Sequence, residues 1–127
     1  MLRATDDEFD AMVTRAIEDL PADIAVFLER VPVIVDQLPG PELRDLEDGP
    51  PQPGDSFFGL FVGPPLAEWD TPDAPPETAC IFLYRRPLLE HCLTLDELER
   101  EVRTTLYHEL GHALGFGEED MERLGLE

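Results

Sequence analysis

A chain of 127 residues is long enough for one domain with a real core, and its length gives no reason to look for a second. The 43% hydrophobic content supports folding, so the excess of 29 acidic over 9 basic residues must sit mainly on the surface. A formal charge of -20 repels phosphate, which argues against a nucleic-acid binder and against docking on an anionic membrane.

Residues 1–127 are therefore expected to form a single domain. No run approaches the ~18 apolar residues of a spanning helix, and "MLRATDDEFD" lacks the basic-then-apolar order of a secretory signal, so a cytoplasmic protein is expected. Cys80 and Cys92 lack the close pairing of a zinc knuckle and read as reduced thiols buried as small hydrophobes.

"TDDEFDAMVTRAIEDLP" offers Thr5 as a cap and acids in the first turn. It then spaces Phe9, Met12, Val13, Ala16, Ile17 and Leu20 as a helix that Pro21 ends. "PADIAVFLER" begins a second, short helix with Pro21 in its first turn, and "VPVIVDQLP" changes to a β-branched run suited to a strand. From Pro39 to Gly54 turn formers and acids predict a loop. "SFFGLFVG" and "TACIFLYRR" have strand length and are separated by a proline-rich loop containing Trp69, so about three strands are expected.

Thr94 and Glu97 have the spacing of a capping box, opening a helix from Leu95 to about Leu114 with Gly115 and Gly117 marking its end. Leu95, Leu98, Val102, Leu106, Leu110 and Ala113 make the stripe that would pack on the sheet. "EEDMERLGLE" suggests a short closing helix.

Within that long helix, "HELGHALGFGEED" places His108 and His112 four apart, so both rings project from one face and can hold the same ion. The helical angle puts them away from the centre of the apolar stripe, which disfavours two core histidines. Glu109 points beside the ion, where a carboxylate can act as general base without occupying a coordination position. Two histidines leave zinc short of the three protein ligands usual in a catalytic site. A left-handed Gly115 would turn the chain back so that an acid just beyond reaches the ion: Glu118 first, with Glu119 and Asp120 as alternatives.

Through HExxH these residues resemble the gluzincin and metzincin metallopeptidases. They are more closely similar to a small zincin-like family of bacterial proteins with the pattern HExxHxxGxx(D/E). "LFVGPPL", "IFLYRRPLL" and "EVRTTLYHELGHALGFGEEDMERLGL" are similar to that family's segments in order and spacing. The resemblance implies an α+β minimal zincin-like fold, a small mixed sheet of about three to four strands against an active-site helix and N-terminal helices. It also implies Zn2+ held by His108, His112 and Glu118, with Glu109 as catalytic acid/base. Family members often carry aspartate where this chain has Glu118, which leaves the third ligand open between Glu118 and Asp120. The third histidine of the metzincin motif is absent.

The expected activity is hydrolysis of a peptide or protein substrate through a metal-bound water, with Glu109 as base. Zincins bind substrate as an added strand, and "IFLYRRP" is the segment expected to supply the edge. Tyr84 and Tyr107 are candidate oxyanion donors, each expected instead to be a packing aromatic. His91 is expected at a surface or helix end, and Arg85 and Arg86 in surface ion pairs. The competing readings are a noncatalytic metal-binding or acidic interaction module and, on charge alone, an acidic mimic of nucleic acid.

Overall fold

A computed structural model describes residues 1–40, 58–63 and 79–115. The acidic stretch beyond residue 40, Trp69, the acids Glu118, Glu119 and Asp120, and the expected closing helix lie outside the described residues.

Helix α1 (Asp6–Glu18) begins where expected. Thr5 accepts from the Glu8 main-chain N–H, and the Glu8 side chain accepts from the Thr5 N–H, satisfying two donors that a helix start leaves free. Phe9, Met12, Val13 and Ala16 are its buried face. Helix α2 (Ala22–Phe27) follows with Pro21 as its N-cap residue, and Ile24 buried.

Strands β1 (Val33–Asp36), β2 (Gly59–Val62) and β3 (Cys80–Tyr84) form a mixed sheet in the order β1-β3-β2 among the described residues. β1 pairs parallel to β3, with Val33 opposite Ile81, and β2 pairs antiparallel, with Gly59 opposite Leu83. The expectation that "IFLYRRP" supplies a free sheet edge is therefore corrected. β3 is the central strand, and its composition explains why: Ile81 and Leu83 face the main core, while Tyr84 and Phe82 pack with Leu60 on the other face. A strand that is apolar on both faces belongs inside a sheet.

The two arginines that follow are not strand either. Helix α3 (Arg85–His91) starts at Arg85, and Pro87 falls in its first turn, where no helical N–H is required. Leu88 and Leu89 are buried beneath it. Arg86 makes the expected surface pair with Glu90 at 3.1 Å. Arg85 is more sequestered: its side chain, 15% exposed, pairs with Asp6 at 3.1 Å and donates to the carbonyl of Ala4, tying α3 to the entry of α1.

Helix α4 (Leu95–Leu114) is capped by Thr94, whose hydroxyl accepts from the Glu97 N–H at 3.1 Å. The return bond of the capping box is shifted by one residue, since the Glu97 carboxylate takes the N–H of Leu93. Leu98, Val102, Leu106, Leu110 and Ala113 are fully buried, whereas Leu95 is 42% exposed, so the stripe engages only after the first turn. Each such leucine contributes roughly 1.5–3 kcal/mol of burial. α4 lies against α1, β2, β3 and α3. Two ion pairs clasp α1 to it, Arg15 with Glu99 and Arg103 with Asp19. None of the described helices is long and apolar enough to cross a membrane.

Candidate metal centre

The last turns of α4 carry the chemistry. His108 and His112 are both exposed, and their rings meet edge to face with centroids 4.4 Å apart. They are not core histidines. Between them in sequence, Glu109 turns inward and is only 8% exposed. Its Oε2 lies 3.6 Å from Nδ1 of His112 and accepts the main-chain N–H of Phe61 at 2.8 Å.

The bond from Phe61 follows from strand register. The N–H of Tyr84 donates to the carbonyl of Phe58 at 2.8 Å, so residues 58, 60 and 62 direct their polar groups at β3. Those of Gly59 and Phe61 point away from it, as alternation in an antiparallel pair requires. Among the described residues no strand pairs with that side of β2, and one of its outward donors is engaged by the carboxylate of α4. Gly59 permits this approach. A Cβ there would lie 2.7 Å from Thr105 Cγ2 and 2.8 Å from the carbonyl oxygen of Phe82, so a side chain would push strand and helix apart.

His108, Glu109 and His112 each offer one ligand atom, and these atoms lie within 4.8 Å of one another. Zinc takes imidazole nitrogens at about 2.0–2.1 Å in tetrahedral geometry. Two solvent-facing imidazoles on consecutive turns, with a carboxylate oxygen in the same cluster, are ligand types that zinc accepts, so the donor set fits the ion. Imidazole also suits other first-row metals. Gly115 ends the helix in the left-handed region, φ 76° and ψ 23°, its N–H closing on the carbonyl of His112. This is the glycine bend expected from the sequence. The candidate third ligands Glu118, Glu119 and Asp120 follow it, outside the described residues.

The aromatic candidates do not join the site. Tyr107 is buried on the α1 side of α4, where its hydroxyl donates to the carbonyl of Ala16 at 2.7 Å, and burial raises its pKa. Tyr84 is fully buried in the small cluster on the far face of the sheet. His91 closes α3, exposed, with its ring 5.0 Å from that of Phe58. Cys80 and Cys92 are buried thiols that form no disulfide, as expected. Burial, reinforced by the charges of Glu97 and Glu101, pushes the Cys92 thiol up to about 11.

Two features escaped the sequence reading. One is the strand donor that holds Glu109, which requires knowing how β2 registers against β3. The other is a cavity of about 320 Å³ beside His108 and Glu109, lined further by Phe58, Gly59, Glu101, Thr104 and Thr105. The α4 part of its wall was legible in principle, because 101, 104, 105 and 108 recur on one helical face.

Comparison with curated proteins finds no match. Residues 28–126, however, match the zincin-like metallopeptidase family. That match spans β1 through the HExxH helix and takes in most of the sequence; with helices packed on a small mixed sheet, the chain belongs to the zincin-like metallopeptidase family.

Proposed function

We propose that the chain is a zinc-dependent peptidase in which His108, His112 and an acid after Gly115, Glu118 first, hold the metal and Glu109 is the general base. The observation that carries this reading is the division of labour on one helix end. Two imidazoles face solvent together, while the carboxylate between them is drawn inward and anchored by a strand.

Zinc bound there supplies Lewis acidity, polarising the scissile carbonyl and acidifying water. Glu109 takes a proton from the attacking water as the oxygen bonds to the carbonyl carbon. It then delivers that proton to the amide nitrogen as the carbon–nitrogen bond breaks, so no covalent enzyme intermediate forms. The Phe61 N–H holds one carboxylate oxygen and so fixes where the carboxylate sits beside the two histidines. The outward polar groups of β2 at Gly59 are placed to take the backbone of an extended peptide, in the role that the sequence reading assigned to β3.

Glu109→Gln tests this assignment, since its amide oxygen can still accept from Phe61. The variant is expected to bind one equivalent of zinc as the wild type does and to lose about 10²–10⁴-fold in cleavage of a peptide library, the usual contribution of a general base. Equal turnover by the two proteins rejects the role of Glu109. Metal binding without hydrolysis in the wild type would mark a noncatalytic module instead.

A further inference from the structure

The cavity beside the metal centre has a chemical character of its own. From His108 it runs back along α4 to Glu101, two helical turns away, or about 10 Å along the axis. Phe58 and Gly59 line it on the strand side, and Thr104 and Thr105 supply the α4 side. Glu101, half-buried, is the charged group at the end remote from the histidines. No lysine or arginine lines the cavity among the described residues, although neighbouring acids of α4 and α3, Glu99 and Glu90, are paired with arginines.

A cavity with an aromatic ring on one wall and a half-buried carboxylate at one end suits one kind of side chain: a long aliphatic stem with a cationic tip. We propose that this cavity receives a lysine or arginine side chain of the substrate next to the scissile bond, and that Glu101 selects for it. The inference rests on the peptidase reading of α4. Its geometry follows from the register described above. A peptide laid along the outward polar groups of Gly59 directs alternate side chains to one face, and the cavity opens beside that strand position along the face of α4 that carries Glu101, Thr104 and His108. Phe58 flanks the stem, and the half-buried Glu101 pairs with the cation. The overall charge of -20 draws cationic peptides toward the whole surface, so selectivity has to be separated from general attraction.

The test uses the zinc-loaded Glu109→Gln protein, which binds without cleaving, and hexapeptide pools with one position fixed as lysine, norleucine or glutamate. Binding is read by calorimetry. Lysine pools are expected to bind about tenfold more tightly than norleucine pools at one position, the scale of a hydrogen bond to a charged group. Adding Glu101→Gln should bring lysine and norleucine to within about twofold, on the same scale. Adding Asp10→Asn removes an equal charge from an exposed α1 position outside the cavity and should leave the preference intact. Equal binding of lysine and norleucine pools, a preference that survives Glu101→Gln, an equal loss in Asp10→Asn, or no binding of any pool would each overturn the proposal. Because binding is read without turnover, the two readings fail separately. Glu109-dependent cleavage without a lysine preference sinks the subsite alone, whereas a Glu101-dependent preference in a protein that never cleaves sinks the peptidase reading alone.

Discussion

The N–H of Phe61 on β2 donates to Oε2 of Glu109 on α4 at 2.8 Å, a bond between residues 48 positions apart. It fixes the carboxylate of the HExxH motif to the sheet while the two histidines of the motif stay free to turn toward an ion. Helical spacing gives the imidazoles their common face; the strand gives the carboxylate its separate position.

That position depends on Gly59. Gly59→Ala would set a methyl group against both the Thr105 side chain and the immovable carbonyl of Phe82. The variant is expected to lose about 1–3 kcal/mol of stability, as overpacked sites do, and to weaken the hold on Glu109. A urea titration measures the loss. Trimming the helix side with Thr105→Ser should recover only part of it, because the Phe82 contact remains. An unchanged midpoint for Gly59→Ala would mean that strand and helix are not in close contact.

Tyr107 separates a packing role from a catalytic one. Tyr107→Phe leaves the carbonyl of Ala16 without its hydroxyl donor and should cost about 1–3 kcal/mol in thermal or urea unfolding. Peptide cleavage at a temperature where the variant is folded should be unchanged. A folded variant with greatly reduced kcat would return Tyr107 to the list of oxyanion donors.

Cys92 makes stability depend on pH in the alkaline range. Its thiol moves from 9.0 to about 11 on folding, chiefly through burial. Below pH 9 the thiol is protonated in both states and adds no slope. Between pH 9 and about 11 the unfolded chain releases the proton while the folded chain keeps it, so stability falls as pH rises. Urea midpoints measured across that interval should fall more steeply for the wild type than for Cys92→Ala. Identical slopes would show that the thiol is not held neutral. The same burial predicts slow alkylation of Cys92 at pH 8 in the native protein and fast alkylation in urea.

The sequence made much of this legible because several signals there are local. Thr5 as a cap and Thr94 with Glu97 mark helix starts that hydrogen bonds within three residues bear out. Gly115 marks a helix end through the backbone angle it adopts. The pairing of His108 with His112 follows from helical pitch. What could not be read depends on partners distant in sequence. Arg85 and Arg86 follow the apolar and aromatic run that Tyr84 closes with no turn former between them, and only the position of Pro87 hints that the strand has already become α3. The central place of β3, the anchoring of Glu109 and the cavity at Glu101 arise from the way β1 and β2 flank one strand, which no local pattern encodes.

The central claim is that His108 and His112 bind one metal ion together. X-ray absorption at the zinc edge of the zinc-loaded protein tests it directly. The wild type is expected to show two imidazole nitrogens at about 2.0–2.1 Å, with the remaining positions filled by oxygen. His112→Ala should lose one imidazole and bind zinc far more weakly, while unfolding within about 0.5 kcal/mol of the wild type when both are metal-free, because the ring is exposed. A shell of oxygen atoms alone, or the same spectrum and affinity in wild type and His112→Ala, would contradict the account.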